Sequence, residues 1–197
     1  MTNRPTVLAD ELAALVGEYR SHTNIAQLRQ QVQALASSST PDAIIVAAEP
    51  YRDDPEVTAP LYELVVHAQP DNARALVILA NAYWLIGLGP EVVGDLANRA
   101  IALDPANRGA WHLWALSESN PRQRVTRWQQ VTARFPADDL ALVNVADNAA
   151  SVAGAEQDYG MLDLAIESYE ALLERAERPE QREALDTALR SLKGWKF

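Results

Sequence analysis

Cysteine is absent from the 197-residue chain. That excludes disulfides, thiolate metal sites, cysteine nucleophiles and thiol redox switches. Lysine is nearly absent too, confined to Lys193 and Lys196. Asp and Glu number 27 against 17 Lys and Arg, a net charge of −10. A surface of that sign repels phosphate, so neither nucleic acid nor an anionic membrane is an expected partner, while basic segments of other proteins are attracted. No 18 apolar residues run together, so no membrane span is expected. From Met1 to Tyr19 the apolar residues are broken by Arg4, Asp10, Glu11 and Glu18, the pattern of an amphipathic helix rather than a secretory signal. These features predict a cytoplasmic protein.

Strand signals are also missing. No Asn-Gly or Asp-Gly hairpin turn occurs, and the β-branched residues are scattered among alanine and leucine. Hydrophobic residues make up 48% of the chain, enough for a sizeable core. They recur at three- and four-residue steps, as in Leu8, Leu12, Leu15 and Tyr19, or Leu76, Leu79, Ala80 and Tyr83. Proline, in several places with Asp or Asn beside it, punctuates the pattern, at Pro41, Pro55, Pro70, Pro90, Pro105, Pro121, Pro136 and Pro179 among others. Proline is tolerated in the first turn of a helix and excluded from its interior, so the sequence reads as helix, stop, helix. The prediction is an all-α protein of ten or eleven helices joined as antiparallel hairpins.

Self-similarity appears between Ala73 and Pro105. Leu76, Leu79 and Tyr83 are large and Ala80 is small, a combination that lets two helices approach closely. Val93, Ala97 and Ala100 offer a shallow face on the following helix, and Asp104-Pro105 closes the unit. This stretch resembles a tetratricopeptide repeat, with one residue inserted at Leu88-Gly89-Pro90 relative to the usual period of about 34 residues. A looser unit follows, with Trp111, Trp114 and Ala115 at the corresponding positions and Trp128 and Val131 on its second helix. A third begins at Asp139 and contains a stretched linker from Gly154 to Gly160. The resemblance covers residues 40–177. It implies a single helical domain over 1–197, with an N-terminal hairpin over 5–39 and a capping helix over 178–197.

Reactive constellations are missing. His22, His67 and His112 have neither HExxH spacing nor thiolate companions, and no metal or other cofactor is expected. Gly87-Leu88-Gly89 lacks the third glycine and the Lys-Ser/Thr of a phosphate loop, and reads as a helix stop before Pro90. Asp138-Asp139 reads as a helix cap and Glu167 to Glu177 as a solvated face. No serine lies in a GxSxG context. The expectation is a protein without catalytic activity.

What remains is surface. The resemblance places a concave groove on the first helices of the units. Trp84, one residue past core Tyr83, is turned about 100° toward it, unless it packs against a neighbouring hairpin. Arg74, Val77 and Asn81 share that face, joined by Gly109, His112 and Leu116, then by Leu140, Val143 and Asp147. Tetratricopeptide domains that grip a peptide carboxylate use Lys, Asn and Arg here. Only Asn81 matches, so the implied ligand is more apolar or more basic. The sequence therefore predicts a protein- or peptide-binding scaffold. Its competitor is a homodimer or other self-assembly through tryptophan-rich surfaces or the terminal caps, where Trp195 and Phe197 offer exposed aromatic rings.

Overall fold

The computed structural model describes residues 4–22 and 24–197, with the side chains of 7–21 and 24–197. Eleven α-helices, one 3₁₀ turn (Glu49–Tyr51) and no strand occupy the described residues. The helices are α1 (Arg4–His22), α2 (Ile25–Ala36), α3 (Pro41–Ala48), α4 (Pro55–Ala68), α5 (Ala73–Leu85), α6 (Pro90–Leu103), α7 (Arg108–Leu116), α8 (Pro121–Arg134), α9 (Asp139–Glu156), α10 (Tyr159–Arg175) and α11 (Pro179–Lys193).

The punctuation acts as its chemistry requires. α3, α4, α6, α8 and α11 open on proline, whose missing N–H is unpaired in a first turn anyway. Asn24, Thr40, Asn72, Asn120, Asp138 and Asp158 cap six helices, their side chains accepting a backbone N–H three residues on at 3.0–3.3 Å. The α5–α6 turn takes Gly87 to φ 74° and Gly89 to φ 98°, where a Cβ would be strained. Pro60 breaks the rule. It lies inside α4, so residue 60 supplies no helical N–H to the carbonyl of Glu56.

The chain divides into two compact units, with the boundary after Leu113, inside α7. In the first, α1 packs on α2 and α3, α2 and α3 on α4, α4 on α5, and α5 on α6. Between the first two hairpins first helix thus meets first helix and second meets second, while the third hairpin joins through α5 on α4. Leu12, Leu28, Val32, Leu61, Tyr62, Val65, Leu76 and Val93 fill the core. Buried Ala48, Ala59, Ala80, Ala97 and Ala100 keep the helices close.

In the second unit α8 packs on α9, α9 on α10 and α10 on α11. Val125, Ala149, Val152, Ala153, Leu162, Ala165 and Leu192 form one cluster, and Leu172, Ala176 and Leu185 another. Two expectations are corrected here. The stretch from Gly154 to Gly160 is not a long linker: α9 runs through Gly154 to Glu156, and only Gln157, left-handed at φ 55°, and Asp158 separate it from α10. Trp195 is not an exposed ring awaiting another subunit. It packs on the α9–α11 cluster and lies over Gly154, where a Cβ would come within 3.2 Å of the indole. Phe197 follows it. Its N–H donates to the Tyr159 hydroxyl at 3.0 Å, that hydroxyl donates to the Phe197 carbonyl at 3.1 Å, and the two rings meet edge to face at 5.1 Å.

Candidate protein-binding surfaces

In the first unit, α5 buries Leu76, Leu79 and Ala80 and turns Arg74, Val77, Asn81 and Trp84 away from that stripe. Arg74 and Asn81 are exposed and Val77 is half-buried. Trp84 keeps 38% of its surface open, a large area for the costliest apolar side chain to leave in water. Val77 is brought against the first turn of α7, where a Cβ on Gly109 would come within 3.3 Å of Cγ1 of Val77. His112, a turn further along α7, is half-buried. The side chain of His22 lies outside the described residues, and His67 is exposed.

In the second unit, Leu116 ends α7 half-buried. Val143 packs against Leu172, Ala176 and Leu185, so part of its surface is committed to the core. Asp147 is exposed and accepts a hydrogen bond from the Tyr169 hydroxyl. Leu140 is 58% exposed. Among the tryptophans, Trp128 is buried, Trp111 donates its indole N–H to the Pro105 carbonyl at 3.0 Å, and the Arg127 guanidinium sits 4.7 Å over the Trp114 ring. Arg127 also donates to the Trp114 carbonyl and pairs with Glu118, tying α8 to the end of α7.

Sequence reasoning missed a polar node behind the α5 face. Glu63 of α4 accepts from the Arg29 guanidinium and the Gln33 amide of α2, and from the Tyr83 hydroxyl of α5. Its members are residues 29, 33, 63 and 83, so no local spacing reveals it. Burial first, and then the hydrogen bond to Glu63, pushes the Tyr83 pKa up to about 12. Burial and the bond to Asp147 raise that of Tyr169 as well. The sign follows from linkage: an unfolded tyrosine ionises near pH 10, so Tyr83 contributes its full stability below about pH 10 and loses it as pH rises toward about 12. The denaturant midpoint of the wild type is expected to fall over that window by more than that of Tyr83→Phe. Parallel curves for the two proteins would contradict this.

No group of three or more His, Asp or Glu side chains among the described residues has metal-site geometry. No described helix is long and apolar enough to cross a membrane.

Stacked antiparallel hairpins with small residues at their close approaches define a tetratricopeptide-like helical repeat fold. Solved structures agree. The chain is similar to crystal structures of MamA, one at a TM-score of 0.60 and 17% identity over 85% of this chain and 95% of that one. The other gives 0.59 at 15% identity over 87% and 98%. A structure of Pseudomonas aeruginosa PilF gives 0.53 at 14% identity over 98% and 96%. No protein-family model matches the chain, and no curated protein does.

Proposed function

We propose that the chain is a non-catalytic scaffold that binds a protein or peptide partner on the face of α5 formed by Arg74, Val77, Asn81 and Trp84, with His112 of α7 beside it. The observation that carries this reading is Trp84. A tryptophan left 38% exposed, on a face that also offers an arginine and an amide, supplies the aromatic anchor and polar rim typical of recognition surfaces. The tetratricopeptide-like fold supports the same reading, because stacked hairpins present extended surfaces rather than closed pockets. Leu116, Val143 and Asp147 of the second unit contribute less, since Val143 and Asp147 already serve internal contacts. The net charge of −10 favours a basic partner over nucleic acid or an anionic membrane.

Self-assembly draws less support, because Trp128 is buried and Trp195 is folded onto its own unit, which leaves Phe197 as the exposed aromatic of the C-terminal cap. Size-exclusion chromatography with light scattering on wild type and Trp84→Ala separates the two readings. Both proteins are expected to run as monomers with identical helical content. A dimer that Trp84→Ala dissociates would mean that this face serves self-association instead.

A further inference from the structure

At one edge of the first unit the starts of α2 and α4 come close to the turn from α5 into α6. A pocket of about 310 Å³ opens there, lined by Ile25, Ala59, Pro60 and Leu88 with Arg29 and Glu56. Its rim is apolar and wet at once, with Ile25 55% and Leu88 46% exposed. The turn that carries Leu88 is held open by two glycines in left-handed conformations, so a leucine is displayed where chain reversal normally places polar residues.

The polar side chains that line the pocket are Arg29 and Glu56. Arg29 is the only cation lining it among the described residues, and Glu63 holds its guanidinium. Arg20 and Arg52 of the same unit are likewise engaged, by Asp54 and Glu49. The Glu56 carboxylate has neither an ion pair nor a side-chain hydrogen bond among the described residues. Pro60, in the same wall, withholds the helical N–H that would otherwise bond the Glu56 carbonyl. Glu56 thus presents an unpaired carboxylate beside an apolar wall. The complement of that wall is an apolar body with a cationic donor attached.

We propose that this pocket receives an apolar–basic segment of a partner polypeptide. A large apolar side chain lies between Ile25, Pro60 and Leu88, and a neighbouring Lys or Arg brings its head to Glu56. Its lining shares no residue with the set Arg74, Val77, Asn81 and Trp84.

Selection from a phage-displayed library of random seven-residue peptides against the purified chain tests this, followed by methyl NMR and titration of the enriched peptides. Leu88→Asp and Glu56→Gln alter exposed or half-exposed positions, and circular dichroism verifies that each variant stays folded. Enriched peptides are expected to pair a large apolar residue with Lys or Arg and to shift the Ile25 and Leu88 methyls. Affinity is expected to weaken about tenfold in Leu88→Asp and about fivefold in Glu56→Gln, with a loss in high salt. Failure to enrich any sequence, acidic consensus peptides, or binding unchanged by Leu88→Asp would each overturn the proposal. Peptides that move Val77 and lose affinity in Asn81→Ala would instead report on the α5 face, so the two sites fail separately.

Discussion

Replacing Trp128 by alanine is expected to lower the unfolding free energy by about 3–5 kcal/mol, the range for emptying a fully buried aromatic site. Trp128 is the largest side chain with under 2% of its surface exposed, and it sits on α8 between buried Val125 and Val131. Besides this apolar contact, helix α8 is held by arginine contacts: Arg127 on Trp114 and Glu118, and Arg122 on Glu156 and Asp158. Its mean composition is strongly polar, and it adheres through one narrow stripe of Val125, Trp128 and Val131 packed toward α9. Losing the indole leaves a cavity that Val125 and Val131 cannot close, because β-branched side chains are stiff at χ1. Trp128→Phe keeps most of the volume and is expected to cost less than half as much. Chemical denaturation followed by circular dichroism measures both. A loss under about 1 kcal/mol in the alanine variant would show that α8 is held by the Arg127–Glu118 pair and the Arg122 pairs with Glu156 and Asp158 rather than by its apolar stripe.

The second large effect is expected at Glu63. Glu63→Ala removes the acceptor shared by Arg29, Gln33 and Tyr83, and so unties α2, α4 and α5 at one point. The Glu63 side chain is 19% exposed, so water replaces it only in part, and about 2–3 kcal/mol of stability is expected to go. Glu63→Gln keeps one acceptor oxygen and is expected to lose less. A second readout separates this network from simple packing. Without Glu63, the Tyr83 pKa moves down from about 12 toward the ordinary tyrosine value. A destabilised variant whose tyrosine titration is unchanged would show that Glu63 acts through its methylenes instead.

The parts of the fold legible in the sequence are those whose causes are local. Pro41, Pro55, Pro90, Pro121 and Pro179 mark helix starts because proline chemistry acts within one turn. Ala80, Ala97 and Ala100 announce close helix packing for the same reason, and Asp138 caps α9 as its position implies. The exposure of Trp84 follows from a single 100° step past Tyr83. Long-range causes stayed hidden. Gly154 reads as a breaker, yet it sits inside α9, where its missing Cβ makes room for Trp195, 41 positions away. The proline inside α4 is tolerated, and its consequence shows only once Ile25 and Leu88 are placed beside it. The Glu63 node draws on three helices and has no sequence signature.

The central claim is that the exposed α5 face binds another protein. A photo-crosslinking amino acid placed at position 81 tests it directly, with the same group at position 98 of α6 as control, each variant expressed in the native cell. Both positions carry exposed asparagines, so neither substitution disturbs the core. Irradiation is expected to give a discrete heteromeric adduct from position 81 that Trp84→Ala abolishes, and none from position 98. Equal labelling from both positions, or an adduct only with a second copy of the chain, would contradict the claim.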